Sequence, residues 1–251
     1  MILRKAYIIL KYKNQIIMKK IYLLICILPL ISGWAIAQNQ TAVWDSTYRP
    51  ASYPLLTKQF ESFEHKTSDI VFLGNSITFG VDWYELLQMP QVRNRGISGD
   101  MTFGVLERLQ EIIDGKPAKL FIMIGVNDIL RNIPDSYIIS NYNNIISRVT
   151  KGSPKTHIYI QSILPINETF TQRKNNIGKS ERIIVVNQAL KEIAKSYHAT
   201  YIDLHTVFKT PEGFLDPSLT YDGLHLSLKG YELWKETLQK GKYLKKRGKN
   251  K

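Results

Sequence analysis

The sequence predicts a doubly wound α/β domain on three grounds. Short apolar runs recur along the chain, amphipathic helical patterns separate them, and most runs stop at a glycine or lead into small polar residues. Consecutive apolar positions, rather than alternating ones, suit a parallel sheet buried on both faces. Asp69-Ile-Val-Phe-Leu73 stops at Gly74 and reads as the first strand. Gln91-Val-Arg-Asn-Arg95, which stops at Gly96, is a weaker second. Leu120-Phe-Ile-Met-Ile124 stops at Gly125, His157-Ile-Tyr-Ile-Gln161 leads into Ser162, and Thr200-Tyr-Ile-Asp-Leu204 completes the set.

Helical spacing fills the intervals. Thr102 to Ile113 places Val105, Leu106, Leu109 and Ile112 three and four residues apart, with Asp100 as the expected N-cap. Ser136 to Val149 carries Ile138, Tyr142, Ile145, Ile146 and Val149, with Asp135 as a candidate cap. Ser180 to Tyr197 carries Ile183, Val186, Leu190, Ile193 and Ala194, and Leu228 to Leu238 forms the last helix. No repeat or low-complexity linker divides the chain, so residues 38–239 are expected to form one domain. In such sheets ligands bind where the carboxyl ends of the strands meet the loops that follow.

Residues 1–37 are expected to be an N-terminal extension and export signal. Ile21 to Ile31 is apolar, Lys19 and Lys20 precede it, and Ala35-Ile36-Ala37 is the small-x-small pattern of a signal-peptidase site. That run is about half of what a membrane-spanning helix needs, which favours a cleaved leader over a stable membrane span in the mature form. Met18-Lys19-Lys20 supplies a basic flank directly and makes Met18 a more natural start than Met1. The expected product is exported, periplasmic or extracellular, after cleavage near Ala37. Cys26 is the only cysteine, and Ile25 before it is not the small residue that lipoprotein processing wants. The mature chain is then free of cysteine, which excludes disulfides, thiol catalysis and cysteine-ligated zinc.

The net charge of +13 is confined to the ends. Of 34 Lys and Arg, six fall in residues 1–37 and seven in 240–251, leaving 21 in the body against 21 Asp and Glu. A nucleic-acid binder carries its basic charge on the folded surface, so nucleic acid is excluded as a partner. The basic tail, 240–251, is expected to be a solvated end.

Chemistry gathers just after the strands. Gly74-Asn-Ser-Ile-Thr78 puts Ser76 on a strand-to-helix turn, Ser98-Gly-Asp100 follows the second strand, Gly125-Val-Asn-Asp128 follows the third, and Asp222-Gly-Leu-His225 precedes the last helix. Each alone is ordinary turn or capping chemistry, and Asp128 reads as a helix cap. Together they contain every part of an acyl-transfer site: a serine nucleophile, a histidine to take its proton, and an acid three residues earlier to orient the imidazole.

In this order the four blocks resemble those of the SGNH, or GDSL-type, hydrolases, and the similarity runs from about Asp69 to Leu238. The resemblance implies a three-layer α/β/α sandwich with a mostly parallel sheet of about five strands, of the flavodoxin-like kind. It implies Ser76, Asp222 and His225 as the catalytic triad. It also implies an oxyanion hole made by the backbone N–H groups of Ser76 and Gly99 and the side-chain amide of Asn127. Glycine at position 99 leaves room for the substrate carbonyl, because no Cβ stands in its path. Asn75 departs from the family's Asp at that place, which is a turn-supporting position.

The implied activity is hydrolysis of short acyl esters, acetyl above all, most simply from carbohydrates and without metal or cofactor. A lysophospholipase or an esterase like platelet-activating-factor acetylhydrolase is the alternative, and a non-catalytic glycan-binding module is a third. His65, His157, His198 and His205 are scattered, with no pair at metal-ligand spacing, and read as structural or surface residues. Trp83, Tyr84, Phe103, Phe170 and Tyr221 lie near the blocks, as candidates for a pocket lining or as ordinary core and rim aromatics. Asn167-Glu-Thr169 is a glycosylation sequon by pattern only.

Overall fold

The computed structural model describes residues 44–245; the expected export signal and the last six residues lie outside them. Five strands form one parallel sheet: β1 (Ile70–Gly74), β2 (Val92–Gly96), β3 (Lys119–Met123), β4 (His157–Gln161) and β5 (Thr200–Ile202), in the spatial order β2-β1-β3-β4-β5. After β2 the chain crosses to the other side of β1, so the order reverses between β1 and β3. That reversal opens a crevice above their carboxyl ends. Every residue of β1 and β3 is buried, as continuous apolar strands require.

Ten helices cover the sheet among the described residues. They are α1 (Tyr53–Ser62), α2 (Ser76–Phe79), α3 (Trp83–Leu87), α4 (Thr102–Glu107), α5 (Gln110–Gly115), α6 (Val126–Leu130), α7 (Asp135–Gly152), α8 (Ser180–Ser196), α9 (Leu204–Phe208) and α10 (Leu228–Lys240). None is long and apolar enough to cross a membrane. The stripe of α7 that was expected to face the core, Ile138, Tyr142, Ile145, Ile146 and Val149, is buried, as is that of α8. On the opposite face the registered residues Phe72, Phe121 and Tyr159 stack across three strands, with centroids 4.8 and 4.3 Å apart. Trp83 stacks on Phe72 at 4.0 Å and meets Trp234 of α10 edge-on at 4.8 Å. Helices on both faces make three layers.

Of the two readings open for Trp83, pocket lining or core, the structure gives the core: its ring is 1% exposed. Its Nε1–H donates to the Thr78 carbonyl at 2.8 Å, which braces the turn after β1. Replacing Trp83 by Ala is expected to cost about 3–5 kcal/mol in denaturant unfolding.

Two expectations change. The helix expected over Thr102 to Ile113 is two helices, because Arg108 turns inward to pair with Asp100 at 2.9 Å and to donate to the Gly74 carbonyl at 3.1 Å. Asp100 is therefore half of a buried ion pair and not the N-cap, which is Met101. The tail is also packed further than expected. Leu244 is buried, Tyr243 meets Tyr159 at 5.7 Å, and Lys119 Nζ donates to the carbonyl of Lys245 at 2.6 Å. A buried ammonium at the start of β3 needs acceptors, and the chain end supplies them.

Candidate active site

The first block is built around a close approach. At Gly74 a Cβ would lie 2.1 Å from Thr78 Oγ1 and 2.5 Å from the Met123 carbonyl, so only glycine lets β1 turn this tightly into α2. Asn75 is the N-cap of α2: its Oδ1 accepts the Ile77 N–H at 3.0 Å. The capping role needs only a side-chain oxygen, which explains why Asn serves where the family pattern has Asp. Ser76 follows as the first residue of the helix, partly exposed above the sheet.

The fourth block closes on it across 149 residues. His225 Nε2 lies 3.0 Å from Ser76 Oγ, and His225 Nδ1 lies 2.8 Å from Asp222 Oδ2. The other carboxylate oxygen, Oδ1, accepts the N–H groups of Leu224 at 3.0 Å and His225 at 2.8 Å, which folds the Asp-x-x-His segment into a turn. Gly223 takes φ +82°, a left-handed conformation that favours glycine, and a Cβ there would meet the Asn167 carbonyl at 2.9 Å. Asn167, the sequon asparagine, is buried: its Nδ2 donates to the Leu215 carbonyl and its Oδ1 accepts from Thr169, so its amide is engaged in supporting this turn.

Sequence reading missed one participant. Arg173, on the segment between β4 and α8, donates to Asp222 Oδ2 through Nε at 2.9 Å and again through Nη2. The same Nη2 stands 2.9 Å from His225 Nδ1. No motif carries such a residue, since 49 positions separate it from its partner. Burial pushes the Asp222 carboxyl up, but hydrogen bonds from His225, Arg173 and Leu224 outweigh that and hold it at about 2. The carboxylate is thus ionised throughout the range in which a histidine base works.

The second and third blocks follow β2 and β3, the two strands that flank β1 in the sheet. Gly99 has φ +82°, and a Cβ built on it would touch Pro50 at 3.4 Å and the Tyr48 hydroxyl at 3.6 Å. Asn127 sits in α6, and its Nδ2 donates to the Asp100 carbonyl at 2.8 Å, joining the two blocks. Asp128, expected as a cap, is instead a buried side chain that accepts Thr102 N–H at 3.1 Å and Thr102 Oγ1–H at 2.5 Å. It clamps α6 to the start of α4. Tyr142 pins the end of β3 by donating to the Ile124 carbonyl at 2.8 Å and accepting its N–H at 3.0 Å.

Burial pushes the Asp128 carboxyl up to about 7, against the lowering effect of the Thr102 hydrogen bonds. The folded state holds the proton more tightly than the unfolded chain, so Asp128's contribution to stability is greatest below about pH 4 and is lost as pH rises through about 7. Melting measured from pH 5 to 8 is expected to show falling stability in the parent chain and a flatter profile in Asp128→Asn.

Of the other aromatics, Tyr221 stacks near-parallel to His225 with centroids 5.9 Å apart and is 65% exposed. Phe103 packs on Trp44 at 6.4 Å, and Tyr84 is exposed on α3. Phe170 lies against Gly223.

Residues 72–233 match the model of the GDSL-like Lipase/Acylhydrolase family. The chain belongs to that family. Over 173 residues it is 27% identical to platelet-activating factor acetylhydrolase IB subunit alpha1 of Rattus norvegicus, covering 66% of this chain and 71% of the relative. A solved structure from Streptococcus pneumonia bearing the name platelet activating factor is 30% identical, covers 76% of this chain and 92% of its own, and superposes with a TM-score of 0.68. The acetyl xylan esterase AlAXEase shares the fold at 18% identity and a TM-score of 0.59, over 69% of this chain and 98% of its own. Membership of the GDSL-like acylhydrolases makes the chain an ester hydrolase by family, and the five-stranded parallel sheet is the fold of these relatives.

Proposed function

We propose that the protein is an exported serine ester hydrolase that removes short acyl groups, acetyl above all, from carbohydrates. The observation that carries the serine mechanism is the continuous relay from Ser76 Oγ to His225 Nε2 at 3.0 Å and from His225 Nδ1 to Asp222 Oδ2 at 2.8 Å. His225 takes the Ser76 proton as Oγ attacks the ester carbon, and the imidazolium is held by the ionised Asp222. The oxyanion is met by the N–H groups of Ser76 and Gly99 and the Asn127 amide. Collapse releases the alcohol, which takes the proton from His225 and leaves an acyl-serine. Water, deprotonated by His225, then attacks that ester, and Ser76 recovers its proton as the carboxylate leaves.

Support for a short acyl group comes from the acetylhydrolase relatives. Support for a sugar comes from the exposed Tyr221 ring beside His225, a flat face suited to a pyranose. Release from p-nitrophenyl acetate through decanoate tests the acyl length: activity is expected to fall steeply by butyrate. Acetate release from acetylated oligosaccharides is expected to exceed that from a short-chain phospholipid. The second reading, a lipid esterase, has the acetylhydrolase relatives in its favour, and it is adopted if the phospholipid is the better substrate. A glycan-binding module would bind the sugars without releasing acetate. Export predicts a mature N-terminus at Gln38, read by mass spectrometry of the secreted fraction.

Asn127→Ala is expected to lower kcat by about 10²–10³, some 2.7–4 kcal/mol of barrier, with KM little changed. An equal loss in KM alone would assign Asn127 to ground-state binding.

A further inference from the structure

Arg173 is placed oddly for a residue that only supports a triad. If His225 Nδ1 carries its proton toward Asp222 Oδ2, the Arg173 Nη2–H at 2.9 Å from that nitrogen has no lone pair to bond. If Nη2–H does bond Nδ1, the imidazole proton sits on Nε2, and His225 cannot accept the Ser76 proton. In either arrangement a guanidinium lies against the nitrogen beside which positive charge develops during attack, and like charges there oppose the reaction. Chemistry is therefore favoured when Arg173 turns away, and its side chain, a third exposed, can do so.

The place it would turn toward is a depression of about 480 Å³ lined by Leu130 and residues 171–176. It lies between α6, which carries Asn127, and the segment that carries Arg173. Its lining holds two cations, Arg173 and Lys174, with the amides of Gln172, Asn175 and Asn176, and no carboxylate. The one acid of the 167–179 segment, Glu168, is spent on the N–H groups of Gly178, Lys179 and Ser180. Asn176 is fully buried, and its Oδ1 has no hydrogen-bond partner among the described residues, whereas its Nδ2 donates to the Gly223 carbonyl at 3.2 Å. A buried acceptor left open calls for a donor.

The geometry points to this depression as a subsite for an anionic, hydroxylated group of the substrate, a carboxylate-bearing sugar, with Arg173 as the specificity residue that leaves the triad to meet it. The inference rests on the esterase reading and narrows its substrate class to acyl esters of acidic sugars. The carboxylate pairs with Arg173 and Lys174, and a sugar hydroxyl donates to the open Asn176 oxygen. Bond formation at the subsite then frees His225 for the Nδ1–H to Asp222 bond that catalysis uses.

Acetate release from an acetylated methyl glucuronide and the matching acetylated methyl glucoside tests it, with p-nitrophenyl acetate as a substrate that leaves the subsite empty. The parent enzyme is expected to prefer the glucuronide by about tenfold in kcat/KM, the scale of one charge-assisted hydrogen bond. Molar salt should shrink that preference. Arg173→Gln should abolish it while raising p-nitrophenyl acetate cleavage severalfold, and Arg173→Lys should keep part of it. Calorimetric binding of glucuronate to Ser76→Ala, weakened by adding Arg173→Gln, reads the subsite without turnover. Ser76-dependent cleavage of p-nitrophenyl acetate with no preference for the glucuronide would falsify the subsite and leave the esterase standing. Equal loss of all activities in Arg173→Gln would make Arg173 a simple brace for Asp222, which also overturns it. No cleavage of any ester removes the esterase reading, and glucuronate binding alone then decides the subsite.

Discussion

Ser76→Ala and His225→Ala are each expected to lower kcat by about 10⁶, and the double variant by no more than either single one. The reason is geometric: the 3.0 Å contact between His225 Nε2 and Ser76 Oγ makes the two side chains one proton-transfer unit, so losing either leaves the other with no partner. What should survive in both variants is catalysis by the proposed oxyanion donors acting on a bound ester and water. Steady-state rates on p-nitrophenyl acetate for the four proteins give the cycle directly. Additive losses in the double variant would mean that Ser76 and His225 act in separate steps. Neither side chain belongs to the hydrophobic core, so unfolding midpoints of the variants should stay near the parent value.

Asp222→Asn is expected to cost about 10⁴ in kcat, a larger loss than the removal of any oxyanion donor. The amide keeps the volume and can still accept the Leu224 and His225 N–H groups through one oxygen. Toward His225 Nδ1 it offers either a weaker acceptor or an N–H that forces the wrong tautomer. The carboxyl at about 2 also fixes an acid limit, with its sign set by linkage. Because the folded value lies below the ordinary one, Asp222 stabilises the fold at pH above about 4, and this contribution is lost as pH falls through about 2. Acid unfolding in that window should be less steep in Asp222→Asn than in the parent protein.

The strands, the long helices and the four blocks were legible in the sequence because each is a local pattern: a buried run, a 3.6-residue period, a glycine at a turn. His157–Gln161 matches its observed strand, and the other strands shift by one or two residues at their ends. Misread residues were those whose local pattern has two meanings. Asp100 and Asp128 precede or open helices, where a capping carboxylate and a buried structural one look alike in sequence. Trp83 is not misread but open between pocket and core in the sequence, and its ring turns into the core, where Phe72, a strand residue, offers a face to stack on. The helix Tyr53–Ser62 gave no signal that stood out from its surroundings. Arg173 was invisible for a deeper reason: an arginine in a polar segment acquires meaning only when folding brings Asp222 to it.

The edge-to-face pair of Trp83 and Trp234 gives the protein an internal optical gauge. Indoles 4.8 Å apart and nearly perpendicular couple their transitions, so they should produce a strong near-ultraviolet dichroism signal that vanishes on unfolding. Both rings are shielded from water, so their emission should lie to the blue and resist quenching by iodide. Trp83 is also hydrogen-bonded to the carbonyl two residues beyond the nucleophile. Acylation of Ser76, if it shifts that turn, is therefore readable as a change in tryptophan fluorescence without any added label.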